Sequence, residues 1–162
     1  MKKIYLAGPD VFLPNAIEQG ESLKKLCSAY GFKGCYPMDN VITGASPQEI
    51  AKRICEANKK MIESCDFVIA NLSPFRGPEP DSGTVWEIGY AQGLEKQVLA
   101  YSTDRRSLKE RTQVMLGLGE KESDHAGMLI EDFGLSHNLM FAHLVVAGSF
   151  EECLKVYASK VK

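Results

Sequence analysis

Two carboxylates, Asp81 and Glu87, lie six residues apart where a strand-like run hands over to a helix-like one. Before them comes the apolar stretch Phe67-Val68-Ile69-Ala70-Asn71-Leu72, then the Pro/Gly-rich loop Ser73 to Pro80. Around them reads Asp81-Ser82-Gly83-Thr84-Val85-Trp86-Glu87-Ile88-Gly89-Tyr90-Ala91. In open α/β sheets this edge is where ligands bind. A carboxylate pair in a cleft can divide acid/base and nucleophilic work, provided the surroundings of its members differ.

Each of these residues also has a plainer reading. Thr84-Val85-Trp86-Glu87 matches a capping box, in which the glutamate bonds back to the helix's first N–H. Asp81 suits a turn or an N-cap. At a helix N-terminus Glu87 is expected to be ionised, which fits a nucleophile better than a proton donor. Asn58 falls on the stripe Ile50, Ile54, Met61, Ile62 and Cys65. A buried amide there needs partners, either a neighbouring loop or a ligand cleft. Tyr5 belongs to the first strand; if buried, its hydroxyl needs a partner, and a nearby glutamate would serve. Gly8-Pro9-Asp10 carries neither the dinucleotide fingerprint nor a Walker A sequence, so no phosphate cradle is inferred. Arg76 and the pair Arg105-Arg106 read as solvated.

The elements that must position these groups are visible as alternating patterns. Strands are expected at Lys3–Ala7, Gly34–Tyr36, Phe67–Leu72, Gln97–Tyr101 and His143–Ala147. Helices are expected from about Asn15 to Tyr30, closed by Gly31, and from Pro47 to about Cys65, with Ser46 as N-cap. Further helices are expected over Gly83–Leu94, Arg105–Leu116 and Phe150–Ser159, with a polar loop at Gly117–Asp124. The alternation argues for one α/β domain over residues 1–162: a flavodoxin-like, doubly wound parallel sheet of about five strands, order 2-1-3-4-5, with helices on both faces. The loops after strands one and three then meet at the switch point.

Composition narrows the function classes. A chain of 162 residues with 44% apolar and 25% charged residues fits one globular domain. A net charge of −2 gives no electrostatic case for a nucleic-acid partner. No apolar run approaches the roughly 20 residues a bilayer span needs, and Met1-Lys2-Lys3 runs into a strand pattern rather than a signal-peptide core. Cys27, Cys35, Cys55, Cys65 and Cys153 are odd in number and without a C-x-x-C pair, so they read as reduced thiols of a cytoplasmic protein. His125, His137 and His143 do not complete a zinc site, and no metal is expected.

Four segments together carry a family resemblance: Ile4-Tyr5-Leu6-Ala7-Gly8-Pro9, Asn71 to Gly77, Asp81 to Ala91, and Asn138-Leu139-Met140. In this order they resemble the nucleoside 2-deoxyribosyltransferases. The resemblance implies a flavodoxin-like fold and a retaining, ping-pong transfer of 2-deoxyribose between nucleobases, with no cofactor. Glu87 matches the nucleophile, Asp81 the acid beside the base, and Tyr5 the residue that hydrogen-bonds the nucleophile. Gly8, Pro9, Phe12, Asn58, Gly83, Asn138 and Met140 match substrate-binding positions. Asn58 stands where some members carry aspartate. Asn138 matches an asparagine that serves a neighbouring subunit's site, which implies a homo-oligomer with shared sites. Deoxynucleosides and free nucleobases are the implied partners. Two other readings stand beside this one: hydrolysis of 2-deoxynucleoside 5′-monophosphates, disfavoured by Asp10 after strand one, and a non-catalytic nucleoside-binding module.

Overall fold

The computed structural model describes residues 1–160. Five strands form one fully parallel sheet: β1 (Lys3–Ala7), β2 (Lys33–Cys35), β3 (Phe67–Asn71), β4 (Gln97–Tyr101) and β5 (Val145–Ala147). Their order is β2-β1-β3-β4-β5, the expected flavodoxin-like order. Tyr5 is flanked by Cys35 on one side and Val68 on the other.

The period of two along each strand sorts side chains onto two covered faces. Ile4, Leu6, Phe67, Ile69 and Leu99 face one way and pack with α1 (Ala16–Ala29) and α5 (Phe150–Lys160), through Leu23, Cys27, Leu154 and Tyr157. Tyr5, Ala7, Val68, Ala70 and Val98 face the other way. They pack with Ile62 of α2 (Pro47–Ser64) and with Ile88 and Ala91 of α3 (Ser82–Gly93). The second face therefore delivers Tyr5 toward the two helices that carry Asn58 and Glu87.

Local signals set most helix ends. Ser46 accepts from the Glu49 N–H, with Pro47 in the first turn. Gly31 takes the left-handed φ of +81° just past α1, and the Phe32 N–H reaches back to the Cys27 carbonyl. Helix α4 is shorter than its sequence pattern, Leu108–Met115, because Ser107 caps it by accepting from Glu110 N–H. Arg105 and Arg106 thus precede the helix, and Arg106 pairs with Asp104. The fifth strand loses its first two expected residues to a 3-10 turn at Ala142–Leu144. Tyr36, expected as the end of β2, lies just past the strand. There it caps a 3-10 turn at Pro37–Asp39, with Asp39 accepting from the Tyr36 N–H.

The α2 stripe departs from expectation. Only Ile62 is buried within the helix, while Ile54 is 43% exposed. The N-terminal half of α2 reaches past the sheet rather than covering it, and its Ile54 lines a cavity at the C-terminal sheet edge.

Candidate active site

At that edge lies a cavity of about 460 Å³, within the range of small-molecule sites. Gly8 and Phe12 reach it from the loop after β1, Asn58 and Ile54 from α2, and Asp81, Gly83, Thr84 and Glu87 from the start of α3. Gly8 is required by a close approach: an added Cβ would lie 2.8 Å from both Asn71 Cβ and Asp10 Oδ2. Asp10 itself is held by Gln19 and Asn71, at 3.0 and 2.9 Å.

Glu87 is not part of a capping box. The N-cap is Asp81, whose Oδ2 accepts from the Thr84 N–H at 2.8 Å and from its hydroxyl at 2.9 Å. Its capping role and its place on the cavity wall coexist. Glu87, one turn further on, turns inward. Its Oε1 accepts from the Tyr5 hydroxyl at 2.6 Å and from Asn58 Nδ2 at 3.3 Å. Both donors converge on one oxygen, and Oε2 has no hydrogen-bond partner among the described residues.

The electrostatics of Glu87 also differ from expectation. Burial raises its pKa to about 7; the Tyr5 hydrogen bond opposes this, the nearby Asp81 charge adds to it, and the Asn58 hydrogen bond opposes it. Desolvation outweighs the helix terminus because the side chain faces the protein interior rather than the exposed first-turn N–H groups. Burial, reinforced by the Glu87 charge, drives the Tyr5 pKa far above its ordinary value, so Tyr5 remains a neutral donor.

Asn58 makes its one hydrogen bond through Nδ2, and its Oδ1 is buried without a partner. Val11, Pro37, Met38, Asn40 and Ile42 complete the lining and were not singled out as site residues from the sequence. Pro37 to Asn40 follow β2 at the same sheet edge, so the rule that drew attention to the loops after β1 and β3 would have found them.

Pro9 does not line this cavity. It borders a smaller one with Phe12 and Phe75. Those two rings stack at 5.2 Å, and the Arg76 guanidinium lies over Phe75 and Phe12 at 4.5 and 5.3 Å, so Arg76 is stacked as well as exposed. Asn138 lies in a third depression, with Glu79 and Glu131. Its Nδ2 donates to Glu131 Oε2 at 2.8 Å, and its Oδ1 accepts from the Met140 N–H at 3.0 Å. Met140 is 72% exposed. Within one chain, then, Asn138 and Met140 stand apart from Glu87.

Among the described residues no cluster of three or more His, Cys, Asp or Glu is arranged to hold a metal. All five cysteines are free thiols. No described helix is long and apolar enough to cross a membrane.

The chain aligns over 98% of its length, and 98% of the other's, with the 2-desoxiribosyltransferase from Leishmania mexicana, at 37% identity and a TM-score of 0.79. A conserved protein from Enterococcus faecalis V583 shares the fold over 100% of this chain and 99% of its own, at 23% identity and a TM-score of 0.65. An uncharacterised protein of Schizosaccharomyces pombe is 38% identical over 114 residues, 68% of this chain and 54% of its own length; the match spans about half of that relative. The nucleoside 2-deoxyribosyltransferase profile matches residues 4–140, a stretch that holds the Tyr5–Glu87 pair, Asp81 and the Asn138 segment, and the chain belongs to that family.

Proposed function

We propose that the protein transfers 2-deoxyribose between nucleobases through a covalent deoxyribosyl-Glu87 intermediate. The observation that carries this reading is the asymmetry of Glu87. Tyr5 and Asn58 hold Oε1, which leaves Oε2 free as the attacking atom. In the first step Oε2 forms a bond to the anomeric carbon as the bond from that carbon to the base nitrogen breaks. The electron pair leaves with the base, and a proton from Asp81 neutralises it. The transition state has oxocarbenium character and is stabilised by the anion on the opposite face. In the second step a nitrogen of an incoming base attacks the same carbon, Glu87 leaves as a carboxylate, and the proton lost by that nitrogen returns to Asp81. Two inversions give net retention. Water in place of the second base gives hydrolysis.

The cavity favours an uncharged nucleoside over a nucleoside monophosphate. Its lining contains two carboxylates and no lysine or arginine. A phosphate placed there would meet like charge with no cation to offset it. Asn138 and Met140 complete the sugar pocket of a second copy of the chain, in a homo-oligomer of closed symmetry. The partners are deoxynucleosides and free bases, in a role of nucleoside salvage in the cytoplasm.

Intact-mass spectrometry of the protein with a deoxynucleoside, followed by peptide mapping, tests the reading. The expected result is a deoxyribosyl adduct on Glu87 that a free base discharges. Base release without an adduct, or an adduct elsewhere, refutes it. Binding without turnover identifies a nucleoside-sensing module instead.

A further inference from the structure

Arg111 is among the largest fully buried side chains of the described residues, with 0% exposure. It belongs to no salt bridge among the described residues. Its guanidinium donates instead to four backbone carbonyls: Nε to Pro78 at 2.7 Å, Nη1 to Asp104 at 3.3 Å and Arg106 at 3.4 Å, and Nη2 to Ser136 at 2.7 Å. Burial pulls its pKa down while Asp104 and Glu79 oppose this, and an arginine so placed remains a cation. Burying an unpaired cation is costly, and an apolar side chain would fill the space at lower cost. The planar fork achieves something an apolar residue cannot: it holds three separate loops at once.

Two of those loops lead to residues argued above to matter for the site. Pro78 stands three residues before Asp81, in the β3–α3 loop. The loop's start is tied by Ser73 to Thr103, and its middle closes on itself through Phe75 N–H to the Glu79 carbonyl. Pro78 itself, and so the run into Asp81, is tied by Arg111, whose bond is the only side-chain hydrogen bond to residues 78–80 among the described residues. Ser136 stands two residues before Asn138. His137 adds a second pin, for its Nε2–H donates to the Leu72 carbonyl at 2.8 Å while its Nδ1 accepts from the Ser136 hydroxyl at 3.0 Å. Burial lowers the His137 pKa, in keeping with a neutral ring.

We infer that Arg111 is a positioning residue for the reaction: through Pro78 it sets where Asp81 meets the departing base. This rests on the transferase reading above. It makes a claim that a merely structural arginine would not satisfy, because the damage of its loss must pass through Asp81.

The test is a double-mutant cycle of Arg111→Lys and Asp81→Asn on two donors. One is an ordinary purine deoxynucleoside, whose base needs a proton to leave. The other is its N7-methylated counterpart, whose base leaves without one. Lysine keeps the charge but cannot span four carbonyls. Arg111→Lys is expected to lower kcat on the ordinary donor by about a hundredfold, the scale of a misplacement of about 1 Å, with KM changed only a few-fold. On the methylated donor the loss is expected to stay within about threefold, since proton donation carries most of the effect. In the Asp81→Asn background Arg111→Lys should cost almost nothing further on either donor. Thermal melts report the folded fraction, and Arg111→Gln replaces Arg111→Lys if that variant does not fold. Equal losses on both donors, or losses that multiply in the double variant, overturn the inference while leaving the transferase reading intact. A wild-type protein that exchanges no base overturns both.

Discussion

The Tyr5 hydroxyl and Glu87 Oε1 lie 2.6 Å apart, joining the first strand to the third helix across a sequence separation of 82 residues. Tyr5 is fully buried and stays neutral, so it donates to the carboxylate and stabilises its ionised form. Removing the donor must raise the Glu87 pKa further above about 7. Tyr5→Phe is therefore expected to move the acid limb of the kcat/KM profile to higher pH. The rate should fall more at pH 6 than at pH 8, by about tenfold at the lower pH, the scale of one pKa unit. An acid limb that stays in place in a pH–rate series contradicts this role for Tyr5.

Asn58 acts on the same oxygen from the other side. Asn58→Leu removes one donor and should shift the acid limb in the same direction as Tyr5→Phe. Asn58→Asp goes further, because it removes the donor and adds another carboxylate beside Glu87, on top of Asp81. That variant is expected to remain active but to need a higher pH than Asn58→Leu. Titration of the Glu87 carboxyl by carbon NMR, with no substrate present, checks the order wild type, Asn58→Leu, Asn58→Asp.

The fold was legible because the three central strands, β1, β3 and β4, are buried on both faces and read as near-continuous apolar runs. Lys3–Ala7 and Gln97–Tyr101 have the limits their sequence implies. Asp81 and Glu87 were legible from their place at a strand-to-helix switch, and Tyr5 from the need of a buried phenol for a partner. Two things were hidden. Helical periodicity marks the apolar face of α2 but not what faces it, so Ile54 read as core although it lines a cavity. Arg111 carries no signal at all: within Leu108-Lys109-Glu110-Arg111-Thr112 it looks like any surface cation, and its four carbonyl partners come from segments up to 33 residues away. The roles proposed for Asn138 and Met140 rest on family resemblance and not on local pattern.

Glu87 also trades stability for chemistry. Its folded-state pKa of about 7 lies above the ordinary 4.5, so the folded state binds its proton more tightly than the unfolded chain does. The stability tied to that proton is full below about pH 4.5 and is lost as pH rises through 7. Glu87→Gln keeps an acceptor for Tyr5 and Asn58 but never ionises. It is expected to be inactive and to melt higher than wild type at pH 8, by a difference of at most a few kcal/mol in stability. The gap should close toward pH 4. Matched melts at pH 4, 6 and 8 measure it, and a gap constant with pH refutes the assignment of a buried, strained charge to Glu87.

Asn138 is held ready by its own loop. Glu131 receives both Asn138 Nδ2 and the Leu139 N–H, each at 2.8 Å, and this fixes the segment away from the cavity of its own chain. If that segment completes the site of a second copy, Glu87→Ala and Asn138→Ala should each be nearly inactive alone. Mixed under conditions that exchange subunits, they should regain activity, because a site formed by Glu87 from the Asn138→Ala subunit and Asn138 from the Glu87→Ala subunit is intact. Random exchange in a dimer puts about half of the molecules in the mixed form, each with one intact site of two, so about a quarter of wild-type activity should return. Native mass spectrometry verifies the exchange. Glu131→Gln refines the test: it weakens the tie on Asn138 and should raise KM for the sugar donor with the chemistry of Glu87 untouched. Verified exchange with no recovery, or a monomer as the active species, would show that Asn138 shapes only its own loop.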